Sequence, residues 1–169
     1  EALKILSVEG LVRLNQNRGA AVTELTRADL EDAFPVVGSL EALAGELAAR
    51  NATDAQIERM RVLHVRMVAM FKKGDRRGYF RINEEIHQLI LAAANNPFLS
   101  RLMRTVSAQV RRARYQANLS HERWAAAVAE HGEILAAFEK RNSAQLGRLL
   151  KRHIANKLAA LLAALDQKE

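Results

Sequence analysis

Residues 130–154 read EHGEILAAFEKRNSAQLGRLLKRHI, and this stretch decides the fold. Apolar residues recur at helical spacing on both sides of Asn142-Ser143: Trp124, Val128, Leu135 and Phe138 before it, Leu146, Leu150, Leu158 and Leu161 after it. That period belongs to amphipathic helices, and the polar pair between them reads as a turn, so the segment predicts a helical hairpin. His131 and His153 stand eleven residues before and eleven after Asn142. Residues equidistant from the turn of an antiparallel hairpin lie at one level. Both histidines also fall on the apolar stripes, where an imidazole without a partner is costly.

A third helix supplies two more polar groups. In GDRRGYFRINEEIHQLILAAANNPFL (residues 74–99), Asn83 and His87 are four apart and project from one helix face. Three histidines and one amide from three helices therefore form a candidate metal site. Imidazole suits Zn, Ni, Cu or Fe, and an Asn carbonyl adds a weak fourth bond. An i,i+4 pair on one helix with single donors from two others is a usual way to build a site in a bundle. The plain alternative is a set of hydrogen-bonded core histidines with no ion. His64 illustrates it, lying near the stripe of Ile57, Met60 and Phe71 with no evident partner, while His121, beside a helix cap, reads as exposed.

The chain has 169 residues, enough for one domain with a substantial core. Abundant Ala and Leu with only 5% aromatic residues favour helices over sheets. Cysteine is absent, which excludes disulfides and thiolate metal sites. No apolar run approaches the roughly 20 residues of a membrane-spanning helix, and no signal peptide opens the chain. A soluble, cytoplasmic protein without a membrane partner is expected. The formal charge of +7 fits a solvated basic surface, or contact with nucleic acid or acidic small molecules.

Ala2 to Val8 reads as a helix end stopped at Gly10; because the chain opens at Glu1 rather than Met, a segment upstream is expected. Leu11 to Leu14 and Ala20 to Leu25 flank turn formers and predict a β-hairpin. Thr26 with Asp29 opens the first bundle helix as a capping box, and Pro35 and Gly38 are expected to kink or split it. Thr53 with Gln56 caps the next, which Gly74 ends; Asp75 begins the helix bearing Asn83, and Asn95-Asn96-Pro97 breaks it. A further helix covers about residues 98–118, and Ser120 and Ser143 cap the last two. The prediction is an all-α fold: an antiparallel bundle of six to seven helices, preceded by a short β-hairpin wing.

Two sets of basic residues are further candidates. Arg111, Arg112 and Arg114 cannot all share one helix face, and one turned inward offers a guanidinium fork to an effector carboxylate. Arg13, Asn17 and Arg18 in the hairpin suit phosphate or minor-groove contact in DNA binding, although such residues also serve solubility and turn geometry.

These motifs in this order resemble a known family. Residues 1–32, EALKILSVEGLVRLNQNRGAAVTELTRADLED, resemble the end of the winged helix-turn-helix domain of GntR-type transcription regulators, FadR subgroup, in which a GLV strand, an NRG wing tip and a T-x-x-DL helix start follow one another. The remainder resembles their FCD effector-binding domain, through LEALAGELAA (residues 40–49) and the two segments quoted above. The resemblance implies two units: residues 1–25, a C-terminal remnant of the DNA-binding domain, and residues 26–169, an effector- and metal-binding helical domain. It implies that Asn83, His87, His131 and His153 hold a divalent metal, Zn or Ni, which helps to bind a small organic acid. Arrival of that acid then alters the affinity of a homodimer for operator DNA. Two positions depart from the family pattern. Position 83 is often Asp there, and the arginine of the family's EVR motif is replaced here by Val37. The DNA-reading helices fall almost entirely upstream of Glu1, so this stretch alone is expected to bind operator poorly.

The function expected from this reading is ligand-responsive transcription regulation without catalysis. The alternative is a metal-dependent enzyme acting on a small carboxylate in a helical bundle. Its metal set lacks a carboxylate, and neither Glu84 nor Glu85 shares the face of Asn83 and His87, so no general base is evident. A purely structural helical bundle is the third reading.

Overall fold

A computed structural model describes residues 2–3, 7, 12–15, 19–22, 26–116 and 120–166. Val12–Asn15 (β1) and Gly19–Val22 (β2) pair antiparallel, with Val12 opposite Val22 and Asn15 opposite Gly19. The hairpin tip and most of the expected helix end before Gly10 lie outside the described residues. Six helices follow among the described residues: α1 (Arg27–Asn51), α2 (Asp54–Lys72), α3 (Arg76–Ala93), α4 (Pro97–Gln116), α5 (His121–Glu139) and α6 (Ser143–Asp166). They form the expected all-α antiparallel bundle. None is long and apolar enough to cross a membrane.

Local chemistry sets most boundaries. Thr26 Oγ1 accepts from Asp29 N–H while Asp29 Oδ2 accepts from Thr26 N–H, closing a capping box. The Thr26 hydroxyl, which donates to Asp29 Oδ2, and then the Thr26 N–H hold the Asp29 carboxyl below its ordinary range. Thr53 and Gln56 repeat the device at α2. Gly74, at φ +71°, ends α2 in the left-handed conformation that glycine adopts most readily. Asp75 and Ser120 cap α3 and α5.

Two expectations at this level are corrected. Pro35 and Gly38 do not split α1; a single helix runs from Arg27 to Asn51. Pro35 is exposed, so the carbonyl it leaves without a donor meets water, while Phe34, Val37 and Gly38 are buried on the other face. Ser143 does not cap α6. Asn142 does, its Oδ1 accepting from Gln145 N–H at 3.1 Å, and Ser143 Oγ instead donates to the Glu46 carbonyl of α1 at 2.9 Å.

Helix α1 lies along α6, and small residues permit the close approach. A Cβ on Gly45 would stand 2.4 Å from Leu150 Cδ1 and 3.1 Å from Leu146 Cγ. At the end of this pair, Arg141 donates to the Ala52 carbonyl (2.6 Å) and to Asp54 (2.8 Å), tying the α5–α6 turn to the α1–α2 turn. The larger core joins all six helices around Met60, Met67, Ile86, Ile134 and Phe138, with Leu99 and Met103 contributed by α4. A smaller one joins α1, α4 and α6 around Phe34, Val37, Val110 and Ile154.

His64 on α2 donates to the Val128 carbonyl of α5, and burial pushes its pKa below 6.5. Just below pH 6.5 the unfolded chain therefore binds a proton that the folded chain does not, and stability falls as pH drops through that window. In metal-free protein, His64→Gln is expected to flatten the Tm-against-pH slope there, as read by circular dichroism. Gly45→Val should cost about 2–3 kcal/mol through overpacking, lowering Tm by roughly 4–12 °C in a thermal melt.

Candidate metal centre

Each of the four residues singled out by spacing is buried, and they come from three helices. Asn83 and His87 lie on α3, His131 on α5 and His153 on α6. One donor atom from each of His87, His131 and His153 lies within 4.8 Å of the other two. The rings pack against one another, with centroids 4.6 Å apart for His131 and His153, 5.4 Å for His87 and His131 and 5.5 Å for His87 and His153. The level predicted from the Asn142 turn is therefore the level at which the two later histidines meet.

Carboxylates orient two of the rings. His87 Nδ1–H donates to Glu41 Oε2 at 2.6 Å, and His153 Nδ1–H donates to Glu130 Oε2 at 2.5 Å. Glu130 is itself fixed by Arg123, whose two terminal nitrogens donate at 2.9 and 2.8 Å, and by Asn156 at 2.7 Å. A histidine that gives its Nδ1–H to a carboxylate keeps the Nε2 lone pair for a metal, and the carboxylate raises its basicity. Nε2 of both rings is buried and makes no hydrogen bond. His131 Nε2 stands 2.9 Å from Asn83 Oδ1, a spacing close to the ~3 Å between adjacent donors that each lie ~2.1 Å from one ion. The donor set fits a divalent metal.

Lysine enters where sequence reading placed none. Lys157 is fully buried, and its Nζ lies 3.4 Å from Asn83 Oδ1. It is four residues beyond His153 on α6, so the helical period alone puts both on one face. Glu41 and Glu130 were also missed. Glu41 sits on α1, forty-six residues from the histidine it orients, and Glu130 serves α6 rather than its own neighbour His131. No local spacing links either carboxylate to its ring.

The other candidate residues are not brought to this centre by any described contact. Arg111, Arg112 and Arg114 lie on α4, but their side chains fall outside the described residues, as do Asn17, Arg18 and the side chain of Arg13. Val37, at the position where the family carries arginine, is buried among Phe34 and Ile154. Glu130→Gln is expected to weaken Zn or Ni binding about 10- to 100-fold while the bundle stays folded, as measured by competitive chelator titration alongside circular dichroism.

Comparison with known proteins agrees with this architecture. Residues 32–156 match the FCD domain family model. An uncharacterized HTH-type transcriptional regulator, YdhC of Bacillus subtilis, is 24% identical over 84% of this chain. A probable D-xylose utilization operon transcriptional repressor of Paenarthrobacter nicotinovorans is 31% identical over 65% of it. The chain spans 64% and 48% of the lengths of these two relatives. The solved structure of E. coli McbR/YncC superposes on 96% of this chain and 82% of its own with a TM-score of 0.88 at 17% identity. A bundle of this topology, matched along residues 32–156, makes the chain a member of the FCD domain family.

Proposed function

We propose that this chain is the sensing part of a bacterial GntR-type transcription regulator of the FadR subgroup, one that responds to a small organic acid through a bound divalent metal, Zn or Ni. The observation that carries the reading is the convergence of three buried histidines from three helices, two of them oriented by carboxylates. A core that only needed filling would place apolar side chains there, because buried polar groups cost free energy unless fully engaged. Asn83, His87, His131 and His153 would hold the ion, which supplies a fixed double positive charge with positions open to a carboxylate.

Charge around the centre favours an anion as the effector. The four donors are neutral, since Asn83 stands where the family often has Asp. The Glu41 and Glu130 carboxylates lie behind the rings, bonded to imidazole N–H groups, and the Lys157 amine lies beside Asn83. With Glu41 and Glu130 bonded to imidazole N–H groups, their role is to orient ligands rather than to act as general bases, which supports sensing over catalysis. Arg111, Arg112 and Arg114 remain candidates for contact with the effector.

In the whole regulator, residues 26–169 would form the sensor and residues 1–25 the end of a winged helix-turn-helix domain. Arg13, Asn17 and Arg18 on its wing would contact operator DNA. A cytoplasmic homodimer would present two such domains to paired half-sites, and the effector would act by favouring one arrangement of them over another.

Calorimetric titration of the Zn- or Ni-loaded chain with small mono- and dicarboxylates is expected to show binding that disappears in the metal-free protein. His131→Ala should lose the metal and its contribution to Tm. Lys157→Met should bind carboxylate on the order of tenfold more weakly, since it removes a buried hydrogen-bond donor beside Asn83. The reading fails if no acid binds and His131→Ala alters neither metal content nor melting temperature.

A further inference from the structure

Two helical turns from His87 and His131 lies a second polar group that the metal site does not use. Tyr79 precedes Asn83 by four residues on α3, and Trp124 precedes His131 by seven on α5, so each extends the stripe that carries a candidate ligand. Their rings meet edge to face, with centroids 5.4 Å apart. Arg123 adjoins them and connects to the centre through Glu130, which holds both Arg123 and His153. Tyr79 is 2% exposed and Trp124 3%.

Three atoms in this group are buried and make no hydrogen bond: Tyr79 Oη, Trp124 Nε1 and Arg123 Nε. Most buried polar atoms in folded proteins are satisfied, and three orphans within one connected cluster call for a partner. The chemistry of that partner is constrained. Indole N–H and guanidinium Nε–H only donate. The phenol keeps its proton as well, because burial pushes its pKa up, more than the nearby Arg123 charge lowers it. The missing partner is therefore an acceptor, and because Arg123 is already paired with Glu130, it is the Arg76 guanidinium, 5.4 Å from the Trp124 ring centre, that favours an anionic one.

We propose that Tyr79, Trp124 and Arg123 form a donor-only pole of the effector chamber, which binds the oxygen-bearing far end of a small acid whose first carboxylate meets the three-histidine centre. This rests on the sensing function proposed above and adds to it a ligand class: short dicarboxylates in preference to monocarboxylates of equal length.

Trp124 is the only tryptophan in the chain, so its emission reports on this pole directly. The test titrates the Zn- or Ni-loaded chain with succinate and with butyrate, following heat and Trp124 fluorescence, in the natural sequence and in Tyr79→Phe. Succinate is expected to bind at least tenfold more tightly than butyrate and to shift Trp124 emission. Tyr79→Phe should erase most of that preference while leaving butyrate affinity unchanged. If butyrate and succinate bind equally and emission does not move, the pole holds water only and the inference is overturned, while acid sensing stands. Should Tyr79→Phe fail to fold, the emission and the succinate preference of the natural sequence decide alone. Binding of neither acid, nor of any other small carboxylate, removes the sensing function and this inference together.

Discussion

The Glu130 carboxylate is the anchor of the interior. It accepts two bonds from Arg123, one from Asn156 and one from His153, so a single half-buried carboxylate joins α5 to α6 and sets the orientation of a candidate ligand. A carboxylate taken from water is costly unless its lone pairs are filled, and here four donors fill them. Glu41 does the same work for His87 from α1. The two carboxylates preorganise two of the three rings, and Glu130 is itself held by Arg123 and Asn156.

Packing supports this geometry from the outside. The close contact of α1 with α6, permitted by Gly45 against Leu146 and Leu150, brings Glu41 within reach of α3. Arg141 ties together the two turns at one end of the bundle. Pro35 is tolerated within α1 because its face is solvated, and the helix is held by what it buries rather than by unbroken propensity. The Asn83 position shows how local chemistry and charge combine. Asn83 brings a neutral amide to the cluster, with the buried Lys157 amine beside it.

Much of the site was legible along the chain. Asn83 and His87 share a face through the 3.6-residue period, and His131 and His153 share a level through their equal distance from Asn142. Both relations are local or lie within one hairpin, so the spacing of the letters carries them. Glu41 and Glu130 were not legible as partners of histidines, because the pairings cross between helices with no fixed offset in sequence. Lys157 could have been found, since it stands one turn from His153 on the inward face. Lysine at such a position usually reads as a solvated end of a stripe, and nothing local marked it as buried. Ser143 reads as a cap because serine commonly is one; a carbonyl of α1, brought close by the fold, offers its hydroxyl a better acceptor.

The amino-acid order by itself determined the helices, their caps at Thr26, Thr53, Asp75 and Ser120, and the inward faces on which the histidines ride. Those properties depend on hydrogen bonds and apolar periods spanning a few residues. Tertiary structure alone decided which carboxylate orients which ring, that Pro35 does not break α1, and that Tyr79, Trp124 and Arg123 gather beside the centre. Each of these depends on how helices distant in sequence are packed, and burial turns such contacts into large free-energy terms that no local pattern records.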